Sequence, residues 1–191
     1  MLYRLKSVLL YQWVFKSFGK RSVIYSPMFI GRPQFIQIGR GVVIRSGVRL
    51  EAVLLDPGHP PEIRIDDNVS LEQDVHIVAL GKVHIRENAT LAARTSLLCG
   101  NHPFLDIHGP AKISERLEGE QSFIDIGEGS LIGVGSIIHM NVRIGKHVVV
   151  GANSVVKRSV PSYCAVTGNP AAVVLRYNAE EDRWEPPRKD A

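Results

Sequence analysis

Large aliphatic residues return along this chain at intervals of six. Hexads open at Ile38, Ile44, Ile65, Leu71, Ile85, Leu91, Ile126, Ile132, Ile138, Ile144 and Val150, and every opening residue is Ile, Leu or Val. Four places on stands a small or β-branched residue: Val42, Val48, Val69, Val75, Ala89, Thr95, Ser130, Ser136, Val142, Val148 and Ser154. Alternate side chains of a strand share a face, so Ile36 with Ile38, Ile63 with Ile65, and Ile124 with Ile126 point inward as pairs. Between such pairs the chain must turn. Gly41, Asn68, Asn88, Gly129, Gly135 and Asn153 hold the fourth positions and tolerate the dihedrals a corner needs. Three hexads make one three-sided coil of about 18 residues, and coils stack at about 4.8 Å. The period therefore predicts a parallel β-helix. A β-sandwich would need hairpin turns, for which Ile126 to Val156 has no room.

The rhythm is broken twice, at 54–62 and at 99–123, and both segments are expected to project from corners of the prism. The first insertion is rich in proline (Pro57, Pro60, Pro61); the second mixes Phe104 and Phe123 with Asp106, His108, Lys112 and Arg116. The repeat domain is assigned to 24–176, with a ragged first coil through Ile24 and Ile30. Residues 1–23 are expected to form a short helical cap over the open end, and 177–191 a polar C-terminal tail.

Composition narrows the picture. The chain has 191 residues, 45% of them hydrophobic, enough for a sizeable core. Net charge is +4 with no dense basic tract, so nucleic-acid binding does not follow. Cys99 and Cys164 form no zinc spacing and demand no disulfide, and no HxxxH or HExxH pattern occurs, so no metal is expected. No apolar run reaches the roughly 20 residues of a membrane span, and the N-terminus lacks a signal-cleavage pattern. A cytoplasmic protein is expected. The mixture of Leu2, Leu5, Leu9 and Trp13 with Arg4, Lys6 and Lys16 also suits weak peripheral contact of residues 1–18 with the inner membrane face.

The hexads, together with Gly100-Asn101-His102-Pro103 and Thr167-Gly168-Asn169-Pro170-Ala171, resemble the hexapeptide-repeat acyltransferases. The resemblance is closest to the sugar and polysaccharide O-acetyltransferase branch (galactoside, maltose, and capsule or O-antigen enzymes) and covers about residues 24 to 176. It implies an all-β, left-handed parallel β-helix, a hand that periodicity alone does not supply. It further implies a homotrimer with active sites between subunits, and acetyl-CoA as donor with its pantetheine arm along the outside of the C-terminal coils. The function so implied is O-acetylation of a sugar or polysaccharide precursor. Acylation of an amino sugar or a hydroxylated antibiotic, and a noncatalytic scaffold, are the alternatives.

The resemblance places the catalytic base at His102, whose imidazole can accept a hydroxyl proton near neutral pH. A backbone carbonyl or a carboxylate, with Asp106 and Glu72 as candidates, would orient it. Asp74, Arg94, Asp106 and His108 are candidate acceptor contacts. Gly133, Gly135, Gly151 and Ala152 offer a small outer surface for the pantetheine arm, and backbone N–H groups near Gly133 or Gly151 could meet the oxyanion. Lys157, Arg158, Asn169 and Arg176 are candidates for the nucleotide portion. His76, His84, His139 and His147 are expected to face outward from the lattice. Cys99, close to His102, invites a thiol-nucleophile alternative.

Overall fold

The computed structural model describes residues 10–187. Its hexads wind into a three-sided prism. Face A stacks β1 (Ser17–Phe18), β4 (Ile36–Ile38), β7 (Glu62–Ile65), β10 (Lys82–Ile85), β13 (Phe123–Ile126) and β16 (Val142–Ile144). Face B stacks β2 (Val23–Ile24), β5 (Val43–Ile44), β8 (Ser70–Leu71), β11 (Thr90–Leu91), β14 (Leu131–Ile132), β17 (Val149–Val150) and β19 (Cys164–Gly168). Face C stacks β3 (Phe29–Gly31), β6 (Arg49–Ala52), β9 (His76–Ala79), β12 (Ser96–Cys99), β15 (Ile137–His139) and β18 (Val155–Val156). All these neighbours pair in parallel.

The hexad openers, and the aliphatic residues six places after Ile44, Leu71, Leu91 and Val150, form vertical rows inside. Ile38, Ile65, Ile85, Ile126 and Ile144 are successive partners on face A; Leu50, Ile77, Leu97, Ile138 and Val156 are successive partners on face C. All are buried, and each contributes about 1.5–3 kcal/mol relative to exposure. At the corners Gly41, Asn68, Asn88, Gly129, Gly135 and Asn153 all have positive φ. The coils approach closely at Gly127, where an added Cβ would lie 2.2 Å from the carbonyl oxygen of Gly145 one coil on. Fifth-position serines tie coils together. Ser130 Oγ donates to Gly145 O (2.9 Å) and accepts from Val148 N (3.0 Å). Ser136 makes the same pair of bonds with Gly151 O (2.9 Å) and Ser154 N (3.2 Å).

The first coil begins at Ser17, inside the stretch expected to be only a helical cap. The cap itself is shorter among the described residues: α1 (Gln12–Val14), flanked by buried Tyr11 and Phe15. Their rings meet edge to face at 5.5 Å and close the prism with Phe18. Residues 1–9, the rest of that expected cap, lie outside the described part. At the other end β20 (Ala171–Asn178) folds back antiparallel on β19, and β21 (Arg183–Glu185) pairs with β20. Much of the segment expected to be a tail is thus a hairpin. Backbone polarity explains it: the last coil would otherwise present unpaired N–H and C=O groups to solvent.

Both insertions leave the same edge, where face C passes to face A. Residues 53–61 link β6 to β7, and 100–122 link β12 to β13. They meet around a cleft of about 480 Å³ that holds Asp56 and His59 from one and Glu118 to Ser122 from the other.

Candidate active site

His102 stands at the root of the large insertion, three residues after β12. A short antiparallel bridge holds this root: Asn101 N donates to Glu118 O (2.9 Å) and Glu118 N to Asn101 O (3.0 Å). Asn101 Nδ2 adds a bond to Glu118 Oε1 at 2.9 Å. The bridge lays Arg116 beside His102, and His102 Nδ1 lies 2.8 Å from the Arg116 carbonyl oxygen. A carbonyl can only accept, so the neutral ring carries its proton on Nδ1 and keeps the lone pair of Nε2 free. That is the tautomer a general base needs.

Arg116 is itself the organiser of the loop. Its guanidinium donates to the carbonyls of Ala111 (2.9 Å), Asp106 (2.5 Å) and Gly109 (2.8 Å). The orienting group for His102 is therefore a backbone carbonyl, and neither carboxylate candidate serves. Asp106 Oδ1 accepts from His108 N (3.0 Å) within its own turn, and Glu72 pairs with Arg45 at 3.7 Å.

Around His102 is a pocket of about 280 Å³ whose other walls include His76, Val78, Leu98, Asn101 and Leu117. Register explains the grouping. On the outside of face C, His76 abuts Ser96, and Val78 abuts Leu98, which in turn abuts His139. His76 faces outward as expected, and outward here is the pocket wall. Burial, helped by Arg49, pushes its pKa below the ordinary histidine value, and its Nε2 is buried with no hydrogen-bond partner. His139 is held low in the same direction by burial and by Lys157. Cys99 points the other way. It is fully buried in the core, its Sγ lies 3.2 Å from Ser122 Oγ, and burial raises its pKa. A thiolate nucleophile at Cys99 is thereby excluded.

Several other candidates gather at another edge. Asp74 (φ 58°), Arg94 (φ 59°) and Gly135 (φ 68°) occupy equivalent turns where face B passes to face C. Gly133, Gly151 and Ala152 lie in the same column, and the Asn169 turn between β19 and β20 ends it. Lys157 and Arg158 follow β18 at the far side of face C, exposed. Arg176 is opposite Cys164, at the other margin of face B from Asn169. None of these lines the His102 pocket, and Asp106 and His108 share its loop without lining it. The N–H groups of Gly133 and Gly151 are already bonded to Val150 O and Val166 O, both at 2.8 Å, so neither can meet an oxyanion. The parallel ladder consumes them.

Composition and spacing mark Arg116 only as one polar residue of the second insertion, and His76 only as one of the outward-facing lattice histidines. Nothing in spacing betrays a loop arginine that binds three carbonyls. His76 was detectable only through the register that brings β9 beside β12.

No protein-family model matches the chain. It is 29% identical over 173 residues to WbbJ of Escherichia coli K12, named as a lipopolysaccharide biosynthesis O-acetyl transferase, covering 85% of this chain and 83% of that one. It is 28% identical to WcaF of the same organism, named for acetyl transfer in colanic acid biosynthesis, covering 76% and 71%. These similarities support an acyltransferase of the hexapeptide-repeat kind. Among solved structures, the acyltransferase resembles AntD, an N-acyltransferase from Bacillus cereus crystallised with dTDP and coenzyme A. The TM-score is 0.71 at 22% identity, over 93% of this chain and 89% of that one. The shared fold is the left-handed parallel β-helix.

Proposed function

We propose that this acyltransferase moves an acetyl group from acetyl-CoA to a hydroxyl of a sugar or polysaccharide precursor, with His102 as general base. The observation that carries the reading is the Arg116 carbonyl on His102 Nδ1, which leaves Nε2 free to accept a proton. Relatives named for lipopolysaccharide and colanic acid acetylation support the acceptor class, and coenzyme A bound to AntD supports the donor.

His102 Nε2 takes the acceptor's hydroxyl proton as that oxygen attacks the thioester carbonyl. The tetrahedral intermediate collapses with cleavage of the C–S bond, and the imidazolium returns its proton to the departing thiolate. The products are the acetyl ester and free coenzyme A. Asp74, Arg94, Asp106 and His108 are proposed acceptor contacts. Gly133, Gly135, Gly151 and Ala152 border the pantetheine arm, while Lys157, Arg158, Asn169 and Arg176 serve the nucleotide phosphates.

A homotrimer accounts for two features together. The insertion exposes Phe104 (61%), Leu105 (86%) and Ile107 (82%), apolar surface suited to a neighbouring prism. A cyclic assembly would also set the Asp74 column of one copy against the His102 pocket of the next. A cytoplasmic location accords with an acetyl-CoA donor. Among the described residues no helix is long and apolar enough to cross a membrane.

The test is a mass-spectrometric screen of sugar, glycan and amino-sugar acceptors with acetyl-CoA, run on wild type and His102→Ala. Acetylated product should fall about 10²–10⁴-fold in the variant with its oligomeric mass unchanged. Equal turnover by both proteins removes His102 from the role. A base-stable product would replace ester with amide and favour the amino-sugar alternative.

A further inference from the structure

The first 50 residues hold nine of the chain's 23 Lys and Arg and none of its 19 Asp and Glu; the first acid is Glu51. Folding divides these cations into two groups. Lys16, Arg40, Arg45 and Arg49 reach Glu62, Asp67, Glu72 and Glu51 and are paired. Lys20, Arg21 and Arg32, all exposed, belong to the outermost coil and make no ion pair among the described residues. They sit at two different corners, Lys20 and Arg21 between β1 and β2, and Arg32 between β3 and β4. Positive charge thus rings one end of the prism.

The same end exposes large apolar groups. Tyr11 and Phe15, four residues apart, turn into the core, which points Trp13 away from it. Trp13 is 87% exposed, Met28 at the third corner 68%, and Leu10, Val14 and Phe29 are also exposed. An apolar surface rimmed by unpaired cations matches a membrane interface. Tryptophan partitions to the headgroup level, and Lys and Arg attract anionic lipid.

We propose that the N-terminal end of the prism seats on an anionic phospholipid surface, with Trp13 at the headgroup level and Lys20, Arg21 and Arg32 facing lipid phosphates. This docking does not depend on the acetyl-transfer reading. It would set the prism axis upright on the bilayer and hold the pocket of coils three and four a short distance above it. A glycan attached to a lipid could be presented there.

The experiment is flotation of the full chain with vesicles of phosphatidylcholine, with and without phosphatidylglycerol, at low and raised salt. Binding should require phosphatidylglycerol and weaken with salt. Lys20→Gln with Arg21→Gln should weaken it roughly 25-fold, about fivefold per cation removed. Arg32→Gln, at the other corner, should cost about fivefold alone. On binding, wild-type fluorescence should shift to the blue, and Trp13→Phe should lose most of that shift. All these side chains are exposed, so retained oligomeric mass and circular dichroism are expected in every variant. Four results would overturn the proposal: no binding at low salt, equal binding to neutral vesicles, full binding by the double variant, or end-to-end association of copies that buries Trp13.

Discussion

Replacing Arg116 by Met keeps the apolar stem of the side chain and deletes its three hydrogen bonds to the carbonyls of Asp106, Gly109 and Ala111. Hydrogen bonds from a charged donor contribute about 1.5–3 kcal/mol each when buried. Discounted for the partial exposure of this guanidinium, the three together give about 3 kcal/mol. That corresponds to a roughly 150-fold rise in the open fraction of the loop. The prism has its own core and should be untouched. Hydrogen exchange is the direct assay. The amides of Asn101 and Glu118, which close the loop root, should exchange about 100-fold faster in Arg116→Met. Amides inside β10 and β13 should keep their rates. Nitrogen NMR should show His102 losing its single Nδ1-protonated form, because the accepting carbonyl is no longer held in place. With an acceptor in hand, kcat should drop about 100-fold with KM for acetyl-CoA unchanged. Arg116→Lys should rescue little, since one ammonium cannot serve three carbonyls in a fixed fork. Unchanged protection at Asn101 and Glu118 would refute the claim that Arg116 organises the loop.

Other consequences follow from packing and charge. Ser136→Ala strands the N–H of Ser154 and removes a donor to Gly151 O, so calorimetry should show a loss of about 1–3 kcal/mol, or about 3–8 °C in Tm. Burial by itself would raise the Asp125 carboxyl, but Arg86, His84 and Arg143 together hold it below the ordinary carboxylate range. A depressed folded-state pKa stabilises above the unfolded value and is lost as pH falls through the folded one. Asp125→Asn should therefore cost about 1–2 kcal/mol near pH 7, and urea midpoints of variant and wild type should converge as pH drops below ~4; divergence in acid would contradict the pairing. Cys99 should resist alkylation at about pH 8 until the prism unfolds; stoichiometric labelling of the native protein there would place its thiol elsewhere.

Much of the architecture is legible from the hexads because a β-helix is nearly one-dimensional. Each coil contacts only the coils above and below it, so a repeated local pattern is already the global fold. The inward rows, the turning corners and the edges from which insertions leave all follow from a two-residue alternation interrupted every six positions. Even the partial first coil at Ile24 and Ile30 is visible in that rhythm. The site is different in kind. His102 stands out as a candidate by its local His-Pro context, but its orientation is not legible there, because Arg116 approaches across fourteen residues of loop.

What the sequence by itself determined, then, is the period and the core, and it singled out His102 as the candidate base. Each depends on residues close together in the chain or repeated along it. The tertiary structure decided what depends on register and on pairing across distance. It put His76 and Leu98 beside His102, gave the Gly133 and Gly151 N–H groups to the ladder rather than to an oxyanion, and turned the thiol of Cys99 inward. It also separated the paired cations of the early coils from the unpaired ones at the outermost. The physical reason is common to all four: side chains and backbone groups choose partners by proximity in space, and hexads carry only the alternation that makes such proximity possible.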